Sequence, residues 1–320
     1  MTYYWLKKHL EQWQEAINAD RKPQAVIING AKGMGKKVLL QQIVADLLCR
    51  QSTPACGQCQ NCRLHQQGFH PDVDFLHPDK EIIKVKMIRE LTTFFISTPH
   101  CSDHKLAVIE DAHLMNTAAS NALLKILEEP PPRGLLFLLT DRKHKLMPTI
   151  RSRCISLDLS LNHEEKAHLA DWLLRKGAFT ANQIGHALTL ADWHPLTAVS
   201  LLENEGVNNF FHQLDEIYAA LTAQQPITEV AKKMATENNV ETWTFLNQYI
   251  NFIAKSVLHP EKTQNAIEHP LNQLVKKNPK VLHLIMKFTD QIHLVMLNFN
   301  TQVKKQLLIE SMLVDLKKAV

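Results

Sequence analysis

The sequence predicts an α/β layer built on a parallel sheet over roughly its first 160 of 320 residues, followed by helical domains only. Two observations carry this. Short apolar runs alternate with helical stretches as far as Leu159, and strand–helix–strand alternation implies crossover helices, hence parallel pairing. Beyond Leu159 the strand signal disappears while helical patterns continue. Only nine glycines, with Leu, Ala, Gln and Lys abundant, favour helix over sheet in the chain as a whole.

Taken in order, Trp5 to Ala19 has apolar residues near helical spacing (Trp5, Leu6, Leu10, Trp13, Ile17) and is stopped before Pro23. Ala25–Ile28 is a short, β-branched run bounded by Pro23 and Gly30 and reads as a buried strand. A glycine-rich turn follows, and Val38 to Leu48 returns to the helical period. Val73–Leu76, Leu106–Ile109 and Leu135–Leu139 are three more buried-strand candidates, separated by helical stretches at Val85–Thr98 and Ala118–Glu128. The latter ends at Pro130-Pro131-Pro132, where no helix continues. Asn162–Gly177, Ala181–Thr189 and Pro195–Glu203 read as three short helices. From about Val207 onward longer helices are punctuated by Pro226, Pro260, Pro270 and Pro279. The expected domains are therefore 1–160, 161–206 and 207–320, with no internal repeat.

Composition excludes several classes. With 45% apolar and 21% charged residues the chain is an ordinary folded one, not a disordered one. Its longest unbroken apolar stretch, Leu135–Leu139, is far short of the ~18 residues of a membrane helix. No signal-peptide pattern is visible, and a cytoplasmic location is expected. A net charge of +4 is too mild to argue for nucleic acid alone.

Three groups of residues carry chemistry. Gly30-Ala31-Lys32-Gly33-Met34-Gly35-Lys36-Lys37 lies between a predicted strand and helix and fits the G-x-x-x-x-G-K part of a phosphate-binding loop. Glycines Gly30, Gly33 and Gly35 let N–H groups curl around phosphate, and Lys36 meets the terminal phosphates. The alternative is a plain strand-to-helix turn. Where Ser or Thr should ligate Mg²⁺ stands Lys37, which has no acceptor and repels a cation. Nucleotide (ATP or ADP) binding without efficient metal-assisted chemistry is expected. Glu110 and Asp111 follow the strand Leu106–Ile109 in the reverse of the usual Asp–Glu order. The alternative for these carboxylates is solvation of a strand end. Cys49, Cys56, Cys59 and Cys62 form C-x6-C-x2-C-x2-C, a spacing suited to a structural, four-thiolate zinc site, with His65 and His70 as nearby substitutes. A redox or unliganded cluster is the alternative. Cys101 and Cys154 have no partners at metal-site spacing.

Together with His70-Pro71-Asp72, Asn121-Ala122-Leu123-Leu124-Lys125 continuing through Glu128-Glu129-Pro130-Pro131, and Ile150-Arg151-Ser152-Arg153-Cys154, these pieces resemble the bacterial clamp-loader subunits of DNA polymerase III, within the AAA+ ATPases. The resemblance is strong over residues 21–160 and weaker beyond. It implies an AAA+, RecA-like α/β domain, a small helical lid and an all-α C-terminal collar. Motor subunits of the gamma and tau kind keep a complete loop, an ordered acidic pair and a sensor arginine; here Lys37, the Glu110–Asp111 order and the arginine-free Asp192–Ala198 depart from all three.

The resemblance therefore implies a non-hydrolysing stator. Arg153, in the Ser152-Arg153-Cys154 triplet, would act in trans as an arginine finger on a neighbouring gamma or tau ATP site. The alternative for Arg153 is an ion pair at a domain surface. Implied partners are gamma/tau and delta in a hetero-pentamer, with the sliding clamp and primer-template DNA reached through the complex, as part of a DNA-directed DNA polymerase (nucleotidyltransferase) holoenzyme. Thr140, at the family's polar sensor position, is expected to make a structural hydrogen bond. The last helix, Thr301–Leu316, carries an apolar stripe (Val303, Leu307, Leu308, Met312, Leu316) fit for partner helices or for its own bundle. Lys232-Lys233, Lys276-Lys277 and Lys304-Lys305 read as solvated faces. Competing readings are an active ATPase, of motor type or another AAA+ remodeller, and a zinc-ribbon nucleic-acid binder; the low charge disfavours the latter.

Overall fold

The structure is a computed structural model and describes residues 3–80, 82–237, 240–258, 269–277, 281–298 and 305–319. Contacts divide the chain into two compact units, Met1–Glu165 and Lys166–Val320. The second takes in both segments expected as a small helical module and a larger helical domain.

In the first unit a 3-10 turn at Tyr4–Leu6 leads into α1 (Lys7–Asn18), β1 (Ala25–Asn29), α2 (Lys36–Leu48), α3 (Gln60–Gln66) and β2 (Val73–Leu76). Then come α4 (Val85–Ile96), β3 (Lys105–Ile109), α5 (Thr117–Glu128), β4 (Gly134–Thr140), α6 (Pro148–Arg151) and β5 (Ile155–Asp158). The five strands form one sheet in the order β2-β3-β4-β1-β5, and every pairing is parallel. This confirms the predicted α/β layer.

β1, β3 and β4 lie inside the sheet and are apolar on both faces, which is why they read as continuous hydrophobic runs. Ala25, Ile27, Ala107, Ile109, Leu136 and Leu138 join Ile88, Leu91 and Phe95 of α4 and Leu123 and Ile126 of α5 in one core cluster. The alternate residues face the other way, as the period of two requires; there Trp13 of α1 sits 5.7 Å from Phe137. Asn116 caps α5, its Oδ1 accepting from the Ala119 N–H at 2.8 Å.

Three expectations need correction. β2 is an edge strand, not a buried one: Val73 and Asp74 are half-buried and Phe75 is exposed. β5 supplies a fifth strand that the sequence reading leaves out. Its four residues are half-buried or exposed at the other edge, so no apolar run marks it. α2 starts at Lys36, two residues earlier than predicted, so the loop lysine is the first residue of the helix.

The second unit is all helical. α7 (His163–Leu174) crosses its boundary; α8 (Ala181–Leu190), α9 (Pro195–Glu203), α10 (Gly206–Leu221), α11 (Ile227–Glu237), α12 (Val240–Leu258), α13 (Pro270–Lys277), α14 (Val281–Leu297) and α15 (Lys305–Ala319) follow. A capping box opens α8, where the Thr180 side chain accepts from the Gln183 N–H and the Gln183 side chain from the Thr180 N–H. Of the final apolar stripe, Met312 and Leu316 are buried while Leu307 is 58% exposed, so packing within the unit explains only part of it. Thr301–Lys304, including Val303, lie outside the described residues, as do Pro260 and Pro279. Lys233 is not a bare solvated residue: it is ion-paired with Glu216.

Candidate functional site

The glycine-rich loop leaves the C-terminal end of β1 and turns directly into α2. Gly33 (φ 87°) and Gly35 (φ 92°) both occupy the left-handed region, which residues with a Cβ adopt only with strain. The loop is braced from an unexpected side. Trp5, 3% exposed, donates its indole N–H to the Met34 carbonyl at 3.0 Å. Leu6 packs so close that a Cβ at Gly35 would lie 3.1 Å from its Cδ1. The helical spacing places Trp5 and Leu6 only at the start of a helix; the aromatic run Tyr3-Tyr4-Trp5 is the one local signal of this brace.

Lys36 folds back into the loop, its Nζ donating to the Gly30 carbonyl at 2.6 Å and the Ala31 carbonyl at 3.1 Å. Burial pulls its pKa down, against the opposing pull of Asp141 and Asp111. Lys37 does something the sequence did not reveal: its Nζ lies 2.6 Å from Oε2 of Glu110. The same oxygen receives His77 Nδ1 at 3.2 Å. Glu110 is thus engaged from two sides. Asp111 follows it in the left-handed region (φ 47°) and turns the chain away from the strand end, its carbonyl accepting from the Leu114 N–H at 2.8 Å. Thr140, fully buried at the end of β4, accepts from the Arg142 N–H at 3.0 Å and contacts His113 Nδ1 at 3.1 Å. It makes the hydrogen bond expected of it.

Arg153 and Ser152 stand elsewhere. Val26 of β1 pairs with Ile155 of β5, so Arg153 lies two residues before this register point and Gly30 four residues beyond it. The four paired residues of β1 and β5 lie between them, so the two stand at opposite ends of these neighbouring strands, more than about 10 Å apart along the strand direction. Arg153 is bound to Glu128 Oε1 through Nη2 (2.9 Å) and to the Thr149 carbonyl through Nη1 (3.1 Å). Its side chain remains 37% exposed. Ser152 donates to the same Thr149 carbonyl at 3.0 Å, which closes the turn carrying Arg153. Beside Arg153 opens a cavity of about 260 Å³ lined by Pro23, Phe95, Ile126, Pro131 and Ile155 among others.

The four cysteines converge. Cys49 caps the end of α2, Cys59 caps the start of α3, and Cys62 lies buried within α3. Their sulfurs all lie within 4.8 Å of one another, and those of Cys56 and Cys62 are 3.9 Å apart. Four thiolates at ~2.3 Å from a tetrahedral ion would be about 3.8 Å apart, so this donor set fits zinc. Backbone N–H groups already point at sulfur, Cys56 N to Cys49 Sγ and Cys59 N to Cys56 Sγ, each at 3.4 Å. Burial resists ionisation of Cys49, yet N–H groups of Cys56, Ser52 and Gln51 bring its thiol down to about 6. Neither histidine substitutes: His65 Nε2 is engaged with the Gln41 carbonyl at 3.1 Å, and His70 belongs to another cluster.

Two polar residues that sequence reasoning missed tie the cysteine insertion to the core. Asp46, buried in α2, accepts from the Ala55 N–H at 2.7 Å and from Gln14 at 2.8 Å. Buried Asn61 donates to the carbonyls of Leu48 and Cys101, both at 2.9 Å. An acid amid the apolar residues of α2 was a visible signal for Asp46; Asn61 offered none.

His70, Asp72 and Cys101 also cluster, but their geometry is structural. Asp72, fully buried, accepts four hydrogen bonds: from the N–H groups of His100 (2.6 Å), Cys101 (2.8 Å) and Ser102 (2.9 Å), and from the Ser102 hydroxyl (3.0 Å). Burial alone would raise its pKa; these donors win and hold it at about 2. With its folded pKa depressed, Asp72 stabilises the fold above its unfolded value of about 3.9, and this is lost as pH falls through 2. Denaturant titrations should lose about 2 kcal/mol over that window. Asp72→Asn should cost about 3 kcal/mol near neutral pH, since its amide cannot accept all four bonds, and should flatten the pH dependence.

The chain is similar in sequence to known proteins. Residues 5–163 match the family model described as "DNA polymerase III, delta subunit". The DNA polymerase III delta' subunit of Pseudomonas aeruginosa is 34% identical over 223 residues, 67% of each chain. That of Escherichia coli K12 is 34% identical over 207 residues, 63% of this chain and 61% of the relative. Among solved structures, a gamma-subunit-related protein of Thermotoga maritima aligns over 97% of this chain and 99% of its own, at 18% identity and a TM-score of 0.49. No helix among the described residues is long and apolar enough to cross a membrane. The parallel sheet, the loop at the C-terminal end of β1 and the arginine before the N-terminal end of β5 are thus those of a chain that belongs to the DNA polymerase III delta' family.

Proposed function

We propose that this chain is the non-hydrolysing stator of a DNA polymerase III clamp loader, lending the Arg153 guanidinium to the ATP site of an adjacent gamma or tau subunit. The partners in this reading are gamma/tau and delta in a hetero-pentamer that loads a sliding clamp onto primer-template DNA. The single observation that carries it is the placement of Arg153: at the opposite end of the β1–β5 strand pair from its own glycine-rich loop, partly exposed and with further donors beyond the two it uses. A guanidinium there cannot serve its own loop and is open to another chain. It would offset charge developing on the transferred phosphoryl group, where planar, forked donors match the oxygens. Ser152 acts as a positioning residue through Thr149.

The chain's own loop keeps a phosphate cradle in Gly33, Gly35, Lys36 and the start of α2. ATP or ADP would be held there without turnover. Mg²⁺ does not fit: the position of its hydroxyl ligand is Lys37, and Glu110 is already paired. Zinc does fit, held by Cys49, Cys56, Cys59 and Cys62, with no open ligand position and hence a structural role.

The test is ATP hydrolysis by the purified chain, alone and mixed with the gamma subunit. Negligible turnover alone and a raised rate in the mixture are expected. Steady hydrolysis by the isolated chain, lost on Lys36→Ala, would overturn the stator reading in favour of a motor subunit.

A further inference from the structure

In a phosphate loop that works with Mg²⁺, the ion joins an acidic strand end to the phosphates, held by the hydroxyl that follows the loop lysine. Here the same two chain positions have already found each other. Lys37, at the second position of α2, reaches Glu110, just beyond β3, with 2.6 Å between Nζ and Oε2. Glu110 is well shielded, its side chain 12% exposed, whereas that of Lys37 is 67% exposed. One of the three ammonium donors is used on the carboxylate and two remain. A divalent ion approaching Glu110 would have to displace this ammonium or sit beside it. Lys36, for its part, is bound to the carbonyls of Gly30 and Ala31 and, among the described residues, to no carboxylate. The loop therefore offers two ammonium groups and the positive end of α2 to an incoming anion.

We propose that the Lys37 ammonium takes the place of the divalent cation at this site, so that the loop binds the phosphates of a nucleoside diphosphate without any metal ion. The proposal rests on the reading above that the loop retains a nucleotide-binding cradle. The exposed ammonium, tethered to Glu110, would offer its remaining donors to the phosphates, and the cation is part of the chain.

The test is calorimetric titration of the full-length protein with ADP, once in excess EDTA and once in excess MgCl₂. The wild-type affinity is expected to be the same in both, within about twofold. Lys37→Thr restores the hydroxyl and frees Glu110; it should bind ADP at least about tenfold more weakly in EDTA and recover affinity in Mg²⁺, a difference of one decade or ~1.4 kcal/mol. Circular dichroism and the melting temperature establish that this exposed position leaves the fold intact. Wild-type binding seen only with Mg²⁺ would overturn the proposal while leaving the nucleotide reading standing. Binding by Lys37→Thr that stays metal-independent and undiminished would overturn it too. Absence of ADP binding by the wild type in both buffers would remove the nucleotide reading itself, and the proposal with it.

Discussion

Replacing Arg153 by alanine in a reconstituted clamp-loader complex is expected to abolish clamp-stimulated ATP turnover at one neighbouring site. Arginine fingers supplied in trans contribute about 10³–10⁵ in rate, so the affected site should fall at least ~10³-fold. The geometry makes the variant a clean one. Arg153 spends two of its five donors on Glu128 and the Thr149 carbonyl, and the Glu128 carboxylate is itself half exposed. Such a pair contributes under about 1 kcal/mol, so the variant should fold and assemble. Arg153→Lys should recover little, because a point charge lacks the planar fork that matches phosphoryl oxygens. In a complex with several ATP sites, bulk turnover would fall only by that site's share. A phosphate-release burst, counted per complex, isolates it. Lys36→Ala is the internal control: it disables this chain's own loop and should leave the burst unchanged. An unaltered burst on Arg153→Ala would reduce that residue to a surface ion pair.

Which parts of this could be read beforehand follows from where the determining interactions lie along the chain. β1, β3 and β4 were legible because strands buried on both faces must be apolar throughout, and that constraint is local. β5 obeys a weaker rule. Ile155-Ser156-Leu157-Asp158 is an edge strand whose partner supplies most of its reason to exist, so its four residues carry little pattern. α3 was hidden for a related cause: Gln60–Gln66 buries only Asn61 and Cys62 and shows no apolar stripe. The candidate residues Gly33, Gly35, Lys36, Lys37, Glu110, Asp111 and Arg153 stood out singly by type and spacing. What spacing could not give was who meets whom. Lys37 and Glu110 are separated by 73 positions, and only the adjacency of α2 and the β3 edge turns two apparent defects into an ion pair. The same holds for Asp72, whose four donors lie at residues 100–102.

Zinc removal should produce the other large effect, and the structure indicates how far it will spread. Purified protein is expected to carry one zinc per chain by elemental analysis. The segment from Cys49 to Gln66 has almost no apolar core: seven residues of α3 are too few to hold a helix alone, and the loop before it has no regular structure. Its order comes from four converging sulfurs together with two tethers, Asp46 to the Ala55 N–H and Asn61 to the Leu48 and Cys101 carbonyls. Each tether contributes on the order of 1–3 kcal/mol, whereas structural zinc in small peptides contributes an apparent 10–16 kcal/mol. Without the ion, thiolates this close would repel one another and the tethers alone could not hold the segment. Chelation, or Cys62→Ser at the most buried of the four, should therefore open residues 50–69 to limited proteolysis. The sheet should survive, because its core cluster draws no residue from the insertion. Circular dichroism would then lose only about two turns of helix. One further consequence distinguishes this from a general loss of stability. Because Asn61 also holds the Cys101 carbonyl, and Cys101 is one of the donors to Asp72, opening the insertion should loosen the 100–102 segment as well. Amide exchange at His100, Cys101 and Ser102 should speed up on chelation while that of β3 and β4 stays slow. An insertion that remains protease-resistant and slow to exchange after the metal is gone would mean that zinc does not organise this segment.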